Sequence, residues 1–325
     1  MLKLKYLEDN RDLVMTLLDY WVYDEESLSL LNEFRISSNA IYPYKAQGNV
    51  HLLRFSPNAE KIPETILAEL EYLEYLQKNN YLVPEIIPSK NGNTLEIINT
   101  SWGVYSAAVF KHVKGEKLDR ISLTDQILFG YGKALGELHV LSQKYKPKVY
   151  KRISHEEQLD VMLKAMTPFK EEEQIRSAIK ALKKDMKALI KTQDNYGLIH
   201  YDYELDNVFY EKKSNKYYII DFDDAVYHYY MMDIVKCKDN ILEEHPEMDE
   251  KHVVSCFLEG YTSVKPIDKR MLDDEDVFKR YYQLYSYVRC RLALAEPIDN
   301  PPEWMVELTH RIENYLKEIK GYLII

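Results

Sequence analysis

His200, Asp202 and Asn207 stand in the spacing H-x-D-x-x-x-x-N, and Asp221 follows after a further strand-like segment. Between Asn207 and Asp221 lie "VFY", the polar turn "EKKSNK" and the run Tyr217 to Ile220. A hairpin of that length returns the end of its second strand to the start of its first. Asn207 and Asp221 are thereby expected side by side, with Asp202 one loop away. An amide oxygen and a carboxylate meeting at one point are hard ligands suited to Mg²⁺, which keeps some waters and takes phosphate oxygens for the rest. A second carboxylate set back from the metal can accept a proton from an attacking hydroxyl. The chemistry implied is phosphoryl transfer. For a lone H-x-D a polar hairpin with solvated acids would be the better reading. Here the asparagine spacing, the run before Asp221 and the hairpin length agree independently.

The surrounding pattern supplies elements to position these groups. Residues 8–20 have helical spacing. "FRISSNAIYPYKAQGNVHLLRFS" (34–56) reads as extended segments joined at a "QGN" turn. Pro63 sits where a helix would start, and Ile66, Leu70 and Leu73 continue along one face until Asn79, Asn80 and Pro84 stop it. "TLEIIN" and "GVYSAAVFKHV" suggest two more strands, after which the chain turns mostly helical. Ser154 and Glu157 have capping-box spacing. Ile175, Ile179, Leu182, Met186 and Ile190 form one helical stripe. The expected fold is α+β and bilobal: a β-rich N-lobe over 1–112 and a larger helical C-lobe over 113–325, with a cleft between them where small-molecule sites tend to lie.

At this point a family becomes recognisable. "HYDYELDN" and "IIDFDDA" resemble the motifs of the aminoglycoside phosphotransferase/choline kinase-like family of small-molecule kinases, which includes bacterial homoserine kinases and has a protein-kinase-like fold. Its members show His-Gly-Asp-x-x-x-x-Asn and then a hydrophobic strand ending Ile-Asp-Phe. The resemblance runs from about Ser37 to about Cys290, with only these two motifs highly specific. It implies that Asp202 is the catalytic base, that Asn207 and Asp221 hold Mg²⁺ with Asp223 assisting, and that His200 braces the loop. Asp233 is implied to cap the next helix or hold the loop. The substrates implied are ATP (or GTP) and a small-molecule acceptor.

The family also places a basic residue on the third strand, paired with a glutamate on the following helix. Arg54 in "HLLRF" is the candidate, its planar fork suited to phosphate oxygens. Glu69 and Glu74 both fall inside the apolar stripe of the helix, so geometry does not choose between them; the family's Glu-Leu pattern favours Glu69. No glycine-rich phosphate loop is present before Gly48. The resemblance places that loop near Ser38 to Ile41, where hydroxyls and backbone amides would substitute, against a plain turn. Backbone groups of Lys111 and Val113 are the candidates for the base-binding hinge before Gly115. Tyr201 replaces a family Gly, and Glu204 and Asp206 stand where His and Gly are frequent. With Asp223 and Asp224 they make the acceptor side acidic, which favours an amine-bearing acceptor by charge complementarity; the alternative is that Glu204 and Asp224 point to water. His139 reads as a hydrogen-bonded core histidine, and Arg289 and Arg291 as facing solvent, the alternative being that they reach an acid on the substrate.

Bulk numbers exclude other classes. With 43 basic and 53 acidic residues among 325, the net charge of −10 argues against a nucleic-acid partner. No apolar run has the length of a membrane span or the form of a signal peptide, and the three scattered cysteines do not suggest a disulfide framework. A cytoplasmic protein is expected. Two rivals stay open: a non-catalytic kinase-like protein, given the missing glycine loop, and a protein kinase, against which no Ala-Pro-Glu anchor follows Asp221.

Overall fold

Alternation along two long strands sets the N-terminal architecture. The computed structural model describes residues 2–268, 270, 273–296 and 300–323. After helix α1 (Arg11–Leu18) come β1 (Arg35–Ile36), β2 (Ala40–Ala46) and β3 (Asn49–Pro57), then helix α2 (Pro63–Lys78). Strands β4 (Ile86–Ile87), β5 (Glu96–Thr100) and β6 (Gly103–Lys111) complete an antiparallel sheet in the order β1-β2-β3-β6-β4, with β5 also on β6. Leu53 and Phe55 of β3 and Tyr105, Ala107 and Val109 of β6 face a core closed by Leu13, Val14, Leu17, Leu18 and Trp21. Ala108 and Phe110 face the opposite way, onto Ile66, Leu70, Leu73 and Leu76 of α2. A period of two therefore turns Arg54, between Leu53 and Phe55, toward α2.

Strand β7 (Glu116–Lys117) follows Gly115, whose φ of +99° and close approach to the Tyr210 carbonyl admit no side chain. Helices α3 (Asp125–Lys144), α4 (His155–Ala165) and α5 (Glu173–Ala188) come next, then β8 (Tyr196–Ile199), β9 (Val208–Glu211), β10 (Lys216–Ile219) and β11 (Val226–Tyr229). The chain ends in α6 (Met231–Glu244), α7 (Glu250–Thr262), α8 (Glu275–Ala293) and α9 (Glu303–Leu323). Ser154 makes the expected capping box with Glu157. Ile190 departs from expectation: α5 stops at Ala188, and Ile190 lies beyond it, exposed. Helices α3 and α7 meet backbone to backbone, since a β-carbon on Gly132 would lie 1.9 Å from the Phe257 carbonyl oxygen. Among the described residues no helix is long and apolar enough to cross a membrane.

Beneath α4, His155 and His228 pack edge to face at 5.0 Å, both buried. Burial pushes His155 down to about 4 and His228 well below its ordinary 6.5. The unfolded chain titrates both near 6.5, so it binds more protons than the native state below that value. Stability is then fully present above pH 6.5 and falls as pH drops toward 4, by about 1.4 kcal/mol per pH unit for each histidine. Urea unfolding at pH 7 and pH 5.5 checks this: His228→Phe is expected to flatten the loss, and an unchanged slope would refute the assignment.

Candidate active site

The loop between β8 and β9 is fixed from both ends. Asp233 on α6 accepts hydrogen bonds from the His200 amide (3.0 Å) and the Tyr201 amide (2.7 Å), and its carboxylate also meets His139 Nε2 (3.1 Å). It thus holds the loop, and no side-chain bond caps the helix itself. His139 is the bonded core histidine expected, contacting the Tyr261 hydroxyl as well. His200 is buried; its Nε2 donates to the Ile220 carbonyl (2.9 Å) while Nδ1 accepts from the Asp202 amide (3.3 Å). That pattern requires the neutral Nε2–H tautomer, which burial favours by lowering the imidazole's pKa. His200 ties the Asp202 loop to the strand end just before Asp221.

The hairpin does what its length predicts. Val208 pairs with Ile219, and the Ile220 amide donates to the Asn207 carbonyl at 3.0 Å, so Asn207 and Asp221 emerge together. Asn207 Nδ2 donates to the Asp202 carbonyl (3.0 Å) and to Asp202 Oδ2 (3.1 Å), which leaves its amide oxygen turned away from Asp202. Asp221 has a φ of +63° and makes no side-chain hydrogen bond or ion pair among the described residues. Burial, then the neighbouring Asp223, push its carboxyl up to about 7, against the pull of Arg54. An unpartnered carboxylate beside a free amide oxygen is the donor set of a hard divalent cation, and these residues fit one.

Facing them, Arg54 grips Glu69 through two 2.8 Å hydrogen bonds, with its guanidinium 4.7 Å from the centre of the Phe110 ring. Both partners are buried, whereas Glu74 is only half-buried and pairs with Lys78, so the fold resolves what the helical wheel left open. Arg54, Glu69 and Asp221 form the polar end of a cleft enclosing about 650 Å³. Its remaining walls are apolar, among them Ile41, Leu52, Phe110, Val113, Phe209 and Ile220. Lys111 lines it too, but its N–H is already donated to the Glu85 carbonyl, which removes that group from the hinge candidates.

Three lysines and arginines that no motif announces complete the site. Lys61, just ahead of α2, bonds the Asn39 side-chain oxygen at 2.8 Å and pairs with Asp223. Arg289 on α8 donates to Ser38 Oγ at 2.7 Å and pairs with Asp224, which also accepts from the Tyr285 hydroxyl (3.1 Å). Neither Arg289 nor Arg291 points freely to solvent as expected: Arg291 pairs with Glu171 and stacks on Phe169. Lys236 on α6 lies 3.1 Å from both Asp202 Oδ1 and Glu204 Oε1. Asp206 sits 3.8 Å from Arg35 and 4.0 Å from Lys117. Glu204, Asp206, Asp223 and Asp224, read as an acidic acceptor side, are thus each ion-paired. The one sequence signal for Lys236 was its place three residues after Asp233, on the same helix face.

Comparison with known proteins agrees with this geometry. The family model described as phosphotransferase enzyme family matches residues 44–267. Amicoumacin kinase of Bacillus subtilis (strain 168) is 25% identical over 292 residues, covering 86% of this chain and 85% of that protein. In fold, the chain is similar to an amicoumacin kinase solved with AMP-PNP and Ca²⁺ (TM-score 0.78, 21% identity, 98% and 95% of the two chains). It is also similar to a microcompartment-associated aminopropanol kinase (0.62, 19%, 97% and 98%). A spectinomycin phosphotransferase bound to ADP and its antibiotic shares the fold at lower similarity (0.56, 13%, 96% and 94%). With the family model spanning well over half its length, the chain belongs to the phosphotransferase enzyme family and is an ATP-dependent small-molecule kinase acting on a hydroxyl group.

Proposed function

We propose that this kinase transfers the γ-phosphoryl of ATP to the hydroxyl of an amine-bearing small molecule, with Mg²⁺ held by Asn207 and Asp221. The carrying observation is convergence: Asn207 bonds Asp202 and emerges beside Asp221, and Asp221 shares one largely apolar cleft with the Arg54–Glu69 pair. That cleft has walls suited to a flat base, and it lies where the 1–112 and 113–325 lobes would meet. The Val113 backbone is the hinge candidate that the ladder leaves open, and Ser38 and Asn39, bonded by Arg289 and Lys61, are the candidates for the phosphate loop. Arg54, fixed by Glu69, neutralises phosphate charge, and Asp202 accepts the acceptor's hydroxyl proton. When bound, the divalent cation would screen the phosphate charges. Asp223 becomes a second oxygen ligand if Lys61 yields it. Most of the acceleration then comes from positioning and preorganised charge.

Two things support an amine on the acceptor. Asp202 and Glu204 share a single ammonium, leaving net negative charge at the loop. The relatives include an aminopropanol kinase. An ADP-release screen with Mg²⁺ across amino-sugars, amino-alcohols, homoserine and macrolides tests the reading. The expected result is turnover with amine-bearing members. Preference for an anionic hydroxy acid would overturn the amine assignment.

A further inference from the structure

Among the loop's departures from the family, Tyr201 stands where the family has Gly and Glu204 where His is frequent. Both departures touch one side chain. The Lys236 ammonium, with only 12% of the side chain exposed, lies 3.1 Å from Glu204 Oε1 and 4.9 Å from the centre of the Tyr201 ring. Its third contact is Asp202 Oδ1, again at 3.1 Å. Tyr201 is buried with φ +70°, a conformation that a glycine adopts freely and a tyrosine avoids. Two elements keep it there: Asp233 accepts its amide, and Tyr285 packs edge-on at 5.0 Å. A strained tyrosine in a family glycine position calls for a return, and the ring face it lays under the ammonium is one.

We propose that Lys236, seated by Tyr201 and Glu204, is a positioning residue for phosphoryl transfer that fixes the Asp202 carboxylate. This rests on the phosphotransferase reading above. Asp202 is held at both oxygens: Oδ1 by Lys236, and Oδ2 by the amide nitrogen of Asn207. The carboxylate is thus registered against the phosphate end before any acceptor arrives. In the transfer the acceptor O–H gives its proton to Asp202 and the acceptor oxygen bonds to the γ-phosphorus. The bond from that phosphorus to the bridging oxygen breaks, and its electron pair leaves with ADP. Lys236 remains an ammonium throughout. Glu204 is accordingly a holder of Lys236 and makes no contact with the acceptor.

Steady-state kinetics on the full chain, using an acceptor from the screen, tests this. Turnover is expressed per nucleotide-binding site, counted with a fluorescent ATP analogue, so that partial unfolding does not register as lost catalysis. Lys236→Met is expected to lower kcat at least 100-fold while the KM for ATP stays within threefold, and Lys236→Arg to recover at least tenfold of that loss. Glu204→Gln is expected to lower kcat about tenfold with the acceptor KM within threefold, and to cost nothing further in the Lys236→Met background. Should Lys236→Met fail to fold, Glu204→Gln carries the test alone. A Lys236→Met enzyme within threefold of wild type overturns the proposal. So does a Glu204→Gln enzyme with unchanged kcat and an acceptor KM raised tenfold or more. A wild-type chain that turns over no acceptor overturns the phosphotransferase reading, and this proposal with it.

Discussion

Asp202→Asn should lower kcat at least 1,000-fold while leaving ATP affinity within about threefold. Asparagine keeps the size of the side chain and its contact distance to Asn207, so the loop braced by His200 and Asp233 has no reason to move. What disappears is the proton acceptor and the negative charge opposite Lys236. A positioned general base contributes on the order of 10²–10⁴ in rate, and losing the orientation of the attacking hydroxyl adds to that. Rapid-quench measurement of ADP formation, paired with nucleotide titration, separates chemistry from binding. A loss below tenfold would mean that Asp202 is not the base.

Glu69→Ala should destabilise the protein by about 3–5 kcal/mol, because it leaves the buried Arg54 guanidinium without its bidentate partner. The stacking of Arg54 on Phe110 retains it in place but does not neutralise it. The charge would then be offset by the nearest anions, Asp221 and Asp223, drawing Arg54 off its phosphate-facing position. The KM for ATP should therefore rise at least tenfold. Mg·ATP should accordingly raise the variant's Tm by less than it raises that of wild type, since the stabilisation a ligand gives falls as its affinity weakens. Thermal unfolding with and without nucleotide reads both effects. Loss of stability with no change in KM would make the pair a structural strut only.

The parts of the site legible in the sequence are those encoded within a few residues of one another. The H-x-D-x-x-x-x-N loop and the hairpin to Asp221 lie within one short stretch, so hairpin length alone predicts that Asn207 and Asp221 meet, and the ladder bears this out. Arg54 and Glu69 were legible only through the resemblance, which places a basic residue on the third strand and a Glu-Leu pattern on the following helix; the helical wheel alone left Glu69 and Glu74 undivided, and the packing of α2 against the sheet gives Glu69. The contacts that escaped are long-range. Ser38 meets Arg289, Lys61 meets Asp223, and Lys236 meets Asp202, each joining elements whose docking no local pattern specifies. Without them the sequence showed an acidic acceptor side but none of its paired cations. Ile190 failed for another reason, because periodicity continued one turn past the point where α5 ends.

The most direct measurement follows the phosphoryl group itself. Wild-type protein is incubated with γ-labelled ATP, Mg²⁺ and the amine-bearing acceptors, and the products are separated by size and identified by mass spectrometry. The account predicts label on a small molecule, dependent on the divalent cation and absent with Asp202→Asn. Label appearing only on protein, or nucleotide bound in the Arg54–Asp221 cleft with no transfer to any hydroxyl, would contradict it.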